Sequence, residues 1–131
     1  MKFLIDRPAF RDALQRVEMA IDRKPTRPVL GGVLVEARND RVILLASDLE
    51  ITVRYSLDEV QVEEPGMVVL PGRELVDVVK DLESDTVRVA TSDRQSGQVE
   101  IEGGEDRCVL VAMSADEYPT MPVLEGEASV A

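Results

Sequence analysis

Apolar residues in this chain recur with helical spacing in two stretches and with a period of two almost everywhere else. That split restricts the fold to two helices among many short strands. In the first stretch Phe10, Leu14, Val17 and Ile21 fall at i, i+4, i+7 and i+11, with Ala13 and Ala20 beside them. Pro8 suits a first helical turn, where its missing N–H would lack a partner anyway; Asp6 or Arg7 precedes it. The stripe puts Asp12, Gln15, Arg16, Met19 and Arg23 on the opposite side, and Pro25 and Pro28 end the helix. The second stretch runs from about Gly72 to Leu82. Leu75, Val76, Val79 and Leu82 face inward, and Glu74, Asp77, Lys80 and Asp81 face water.

The remainder predicts strands over Lys2–Ile5, Val29–Ala37, Val42–Ala46, Ile51–Leu57, Met67–Leu70, Thr86–Thr91, Gln98–Glu102 and Arg107–Met113. Alternation is plainest in Ile51, Val53, Tyr55 and Leu57. Asn39-Asp40, Ser92–Gly97 and Gly103-Gly104 read as hairpin turns, and the acidic stretch Asp58–Glu64 reads as a solvated loop. The order is β-α-β-β-β, repeated at an offset of roughly 65 residues. Two such units, joined edge to edge, would place both helices on one face of antiparallel sheets, an α+β architecture.

Composition removes several kinds of function. The chain has 131 residues, 44% hydrophobic and 31% charged, which suits one folded domain. It has no His, which excludes Ser-His and Cys-His nucleophile pairs and His-based metal sites. No Trp and only two each of Phe and Tyr leave little to stack single-stranded bases on. Cys108 is the only cysteine, so no internal disulfide can form; in the run CVLVAM it reads as a buried thiol. No apolar run approaches the roughly 20 residues of a membrane span. Asp6 and Arg7 interrupt the apolar N-terminus, so no signal-peptide core is expected and the cytoplasm is the expected compartment.

The charge is divided by position. Residues 1–30 hold seven basic and four acidic groups, and residues 31–131 hold eight basic and 22 acidic, for a net charge of −11. A basic segment around one helix on an acidic protein suits a nucleic-acid backbone. Arg73 lies in the predicted first turn of the second helix, where the dipole disfavours a cation, so a use outside the helix is implied. Ser47-Asp48-Leu49-Glu50 admits another reading, two carboxylates holding Mg²⁺ for a nuclease. On a strand-to-strand turn Asp48 is better suited to binding backbone N–H groups. A third possibility is a stand-alone acidic interaction module or DNA mimic, suggested by the negative charge of residues 31–131.

Four segments carry a resemblance: RKPTRPVLGGVLVEA at Arg23–Ala37, SDLEITV at Ser47–Val53, EPGMVVLPGRELVDVVKDL at Glu64–Leu82 and DEYPTMP at Asp116–Pro122. With the repeated βαβββ order, the chain resembles the N-terminal domain of the bacterial DNA polymerase III beta subunit, the sliding-clamp family. The resemblance implies a DNA-clamp fold over residues 1–122, the first of three such domains. Residues 123–131 would be a linker and the truncated start of the next domain. It implies a non-catalytic processivity factor without metal or cofactor. Two protomers would join head to tail in a ring around duplex DNA and tether the replicative polymerase, with polymerase subunits and clamp loader as partners and no membrane. By position, Lys24 and Arg73 match DNA-contacting residues, with Arg16 and Arg23 as further candidates. Glu74, Val78, Arg107 and Cys108 match the protomer interface. Lys24 stands where the family usually has Arg, Glu74 where it commonly has a basic residue, and Cys108 where it commonly has a bulky aromatic. The last two departures unsettle the family's usual ion-pair pattern.

Overall fold

Asp6 closes the first strand and opens the first helix: its Oδ2 accepts a hydrogen bond from the Ala9 N–H at 3.0 Å, which satisfies one of the donors a helix start leaves free. The computed structural model describes residues 1–21, 28–92 and 97–113. In chain order its elements are β1 (Lys2–Asp6), α1 (Arg7–Val17), β2 (Gly32–Ala37), β3 (Val42–Ser47), β4 (Thr52–Leu57) and β5 (Val60–Glu64). They continue as β6 (Gly66–Pro71), α2 (Gly72–Asp81), β7 (Thr86–Thr91), β8 (Gln98–Gly103) and β9 (Asp106–Val111). The mixed α+β class read from the sequence is the class observed.

The two units do not keep their strands to themselves. One sheet has the order β5-β1-β7-β8-β9 and the other β4-β3-β2-β6, all pairs antiparallel. So β1, which opens the first unit, pairs with β7 of the second, and β6, which opens the second, pairs with β2 of the first. Each helix carries the chain from one sheet to the other. The sheets also touch directly, where the Met113 N–H donates to the Val69 carbonyl at 2.8 Å.

The periodic residues are the ones that fill the core. Phe10, Ala13, Leu14 and Val17 of α1 and Leu75, Val76 and Val79 of α2 are buried against Phe3, Ile5, Val33, Leu44, Leu70 and Ile101 of the strands. Phe3 and Phe10 meet edge to face, with ring centroids 6.5 Å apart and planes at 76°. Every residue of β3 is buried because its second face is covered too: Leu45 packs with Leu30 and Val69 in a smaller cluster.

Several boundaries differ from the sequence reading, each for a local reason. The stretch Asp58–Glu64 is not a loop. Val60–Glu64 is the edge strand β5, whose Val60 and Val62 pack on the core while Gln61, Glu63 and Glu64 stay exposed. Lys2 on the neighbouring strand lies 3.3 Å from Glu64. The strand expected from Val29 begins at Gly32, after a 3-10 turn over Pro28–Gly31. Helix α1 tightens into a 3-10 turn at Glu18–Ala20, and the rest of its expected exit, residues 22–27, lies outside the described residues. So do positions 93–96 of the turn expected at Ser92–Gly97, the DEYPTMP segment and residues 123–131. The strand expected to run to Met113 ends at Val111, leaving Met113 in the bridge between the sheets.

Ile51, expected in β4, belongs to the preceding turn. Asp48 Oδ1 accepts from the N–H of Glu50 at 2.9 Å and of Ile51 at 2.7 Å. The Ser47 hydroxyl accepts from the Leu49 N–H at 3.1 Å. These bonds hold Leu49 at φ 80°, a left-handed conformation that costs a leucine about 1 kcal/mol or more. The Ile51 N–H, and then the Glu50 N–H, hold the Asp48 carboxyl below its usual range. A carboxyl whose folded pKa lies below its unfolded value, about 3.9, adds stability that is complete above that value and lost as pH falls through the folded pKa.

Two predictions follow the packing and the turn. Gly32 faces β6 so closely that an added Cβ would lie 2.5 Å from Val69 Cγ1 and 3.0 Å from the Leu70 carbonyl oxygen. Gly32→Ala should therefore destabilise the fold by about 1–3 kcal/mol in denaturant unfolding; a change under about 0.5 kcal/mol would mean that the neighbours move aside. Asp48→Asn keeps an acceptor but cannot titrate. Its stability should fall less than the wild type's on acidification below about pH 4, and an equal fall would refute the turn's part in acid stability.

Candidate nucleic-acid interface

The helices form one layer over the sheets. α1 packs on β1, β3, β4 and α2, while α2 packs on β2, β6 and β9. Burial of one stripe on each helix fixes which residues face outward. On α1 and its 3-10 extension these are Asp12, Gln15, Arg16, Glu18 and Met19; on α2 they are Arg73, Glu74, Asp77, Lys80 and Asp81.

The two helix starts differ. That of α1 is filled by the Asp6 carboxylate, while α2 follows Pro71, which supplies no side-chain cap. Arg73 and Glu74 stand exposed in that uncapped first turn. Arg73 pairs with neither Glu74 nor Asp77, and has no carboxylate partner among the described residues. Free N–H groups, the positive end of a helix dipole and an unneutralised guanidinium make a suitable seat for a phosphate.

Arg16, in the last turn of α1, also has no carboxylate partner among the described residues. Its guanidinium carbon lies 5.3 Å from the centroid of the Tyr55 ring on β4. Lys80, in the last turn of α2, is exposed and favourably placed against the helix dipole. Three cations of the strands and hairpins are treated differently. Arg38 lies 3.4 Å from Glu36 and Arg41 3.2 Å from Asp40, and Arg107 bonds Glu100 and lies 3.7 Å from Glu102. The Arg41 guanidinium holds the Asp40 carboxyl below its usual range by a hydrogen bond and by its charge. Among the described residues the helices and the 3-10 turn after α1 hold five basic and five acidic groups; the strands and their remaining connections hold six and 15. The helix side is therefore near neutral, with discrete uncommitted cations, and the sheet side is strongly acidic. Charge counted along the sequence misses this division, because Arg73 and Lys80 sit in the acidic part of the chain.

Of the residues singled out by sequence, Arg16 and Arg73 share the helix layer, while Arg23 and Lys24 lie outside the described residues. Arg11 leans on Asp12 at 3.4 Å, and Arg7 is half-buried with its Nε unpartnered. The interface candidates fall on two faces. Val78 and Cys108 are half-buried on elements that touch each other, α2 and β9, and both pack against the core. The Cys108 thiol, read as buried from its apolar run and as partly open from its match to the protomer interface, is half-buried on β9, the last strand of its sheet. Arg107 alternates to the opposite face of β9, with Glu100 and Glu102, while Glu74 is exposed on α2. Asp48 is committed to its turn, and no group of three metal-ligating side chains gathers among the described residues, so Asp48 and Glu50 give a nuclease no support here. Sequence reasoning missed Tyr55 as the partner of Arg16. Only the packing of α1 on β4 brings them together, and no spacing along the chain signals it.

No helix of the described residues is long and apolar enough to cross a membrane. The family described as DNA polymerase III beta subunit, N-terminal domain, matches residues 1–122. The chain is 34% identical over 129 residues to a beta sliding clamp of Staphylococcus aureus and 33% identical over 129 residues to one of Staphylococcus epidermidis. Each match covers 93% of this chain and 34% of the relative. It superposes on the DNA polymerase sliding clamp from Bacillus subtilis with a TM-score of 0.87 at 29% identity, over 93% of this chain and 33% of that one. The Caulobacter crescentus sliding clamp gives a TM-score of 0.87 at 29% identity, over 92% and 32%. The chain thus spans 34% or less of the length of these relatives. With its two helices on one side of two antiparallel sheets, it belongs to the family of DNA polymerase III beta subunit N-terminal domains.

Proposed function

We propose that residues 1–122 act as the first of three domains in a protomer of a sliding clamp, and that residues 123–131 lead into the second. Two protomers close head to tail into a ring around duplex DNA, and the ring tethers the replicative polymerase. The observation that carries this reading is the uncapped, uncommitted cationic start of α2 at Arg73, on the same layer as Arg16. Phosphate contacts of this kind hold position without reading sequence. They are few and set in a near-neutral layer, so they attract DNA weakly enough to let it slide, while the acidic sheet side repels it. By sequence position Lys24 matches a DNA-contacting residue of the family, and Arg23 beside it is a further candidate.

The protein does no chemistry in this role. Retention is topological, and polymerase and loader act through the full-length ring in the cytoplasm. At the protomer interface, β9 offers an edge unpaired among the described residues over Asp106–Val111, and α2 its exposed flank. Val78 and Cys108 supply apolar contact there, and Glu74 and Arg107 supply charge. Because Arg107 is already paired with Glu100 and Glu102, an ion pair across the interface requires it to exchange partners. The acidic surplus of the strands also fits a stand-alone interaction module, which the test below separates.

Full-length protein carrying this domain, loaded on nicked circular duplex, should be retained at salt that strips ordinary phosphate binders and released when the circle is linearised. Equal retention on both forms would contradict a topological tether, and no retention on either would favour the acidic module. Replacing both Lys24 and Arg73 by Ala should reduce the amount of ring loaded on the circle while leaving unfolding free energy within about 0.5 kcal/mol of wild type. A larger loss of stability would make these residues structural.

A further inference from the structure

Tyr55 lies on β4 with Val53 and Leu57, on the row that faces the core, and it is half-buried against that core. One flank of its ring is thereby fixed by packing, and the ring stands 5.3 Å, centroid to guanidinium carbon, from Arg16 at the C-terminal end of α1. We propose that Tyr55 is a positioning residue that holds Arg16 in a phosphate-ready pose on the helix side. The inference rests on the phosphate-contacting role of that side and adds a residue to it.

The chemistry of the partner decides the consequence. A carboxylate would fix a guanidinium by taking two of its donors and cancelling its charge, as Asp40 does for Arg41. An aromatic face attracts the cation through its quadrupole but accepts no strong hydrogen bond. Arg16 therefore keeps its full charge and its five N–H donors while losing much of its rotamer freedom. Less ordering remains to be done when a phosphate arrives. The contrast with Arg38, Arg41 and Arg107, each tied to carboxylates on the strands and hairpins, is what assigns Tyr55 a use beyond packing.

The test follows the side-chain Nε–Hε resonances of the isotopically labelled chain while a short DNA duplex is added at low salt. In wild type the Arg16 and Arg73 signals should both move. In Tyr55→Phe, which keeps the ring, they should move as in wild type. In Tyr55→Leu the Arg16 response should be lost and the Arg73 response kept. An undiminished Arg16 response in Tyr55→Leu overturns the inference, and so does a wild-type Arg16 that stays still while Arg73 moves. If neither arginine moves, the phosphate-contacting reading of the helix side fails and this inference fails with it. Should Tyr55→Leu lose the folded amide spectrum, the wild type alone decides. Arg16 Hδ protons shifted upfield by the Tyr55 ring current support the platform, and Hδ protons at random-coil positions overturn it.

Discussion

The exchange of opening strands between the two βαβββ units is the constraint on which the rest of the structure depends. β1 completes the sheet of β7, β8 and β9, and β6 completes the sheet of β2 and β3. Neither unit can satisfy its backbone hydrogen bonds or bury its apolar faces without the other. Both helices then cross between the sheets and pack against each other in one layer, each with one stripe buried. The uncommitted cations are presented by this layer, so the candidate interface is a consequence of connectivity before it is a matter of charge.

That geometry explains how an acidic chain can suit a DNA partner. Net charge would predict repulsion everywhere. The described helices are balanced, however, and the acidic surplus sits in the strands and connections, where several cations are already neutralised by neighbouring carboxylates. Arg16 and Arg73 are kept available by different means, one over an aromatic ring and the other in an uncapped helix start. A partner that touches only such points is held loosely, as sliding requires.

Much of the fold was legible because burial imposes period. The stripes Phe10–Leu14–Val17 and Leu75–Val76–Val79 are buried as read. Val87 and Val89, and Val99 and Ile101, point inward by alternation along the adjacent strands β7 and β8. β5 escaped because only Val60 and Val62 of its residues meet the core, and acidic neighbours outweigh them in a count of polarity. Ile51 was misplaced because a side-chain acceptor, Asp48, claims its N–H, a competition that alternation cannot register. The strand exchange was not legible either, since the order of elements along a chain does not specify which sheet each strand joins. Of the candidate site, Arg73 stood out because a cation conflicts with a helix start, whereas the Arg16–Tyr55 contact depends on tertiary packing alone.

The central claim is that the position of cations on the helix side, and not total charge, governs contact with DNA. Two double variants of the full-length protein test it at equal net charge: Arg16→Glu with Arg73→Glu on the helix layer, and Arg38→Glu with Arg41→Glu on the sheet side. Measured as the amount loaded on circular duplex across a salt series, the first pair should load poorly even at low salt while the second stays close to wild type. Equal losses in the two would contradict the account.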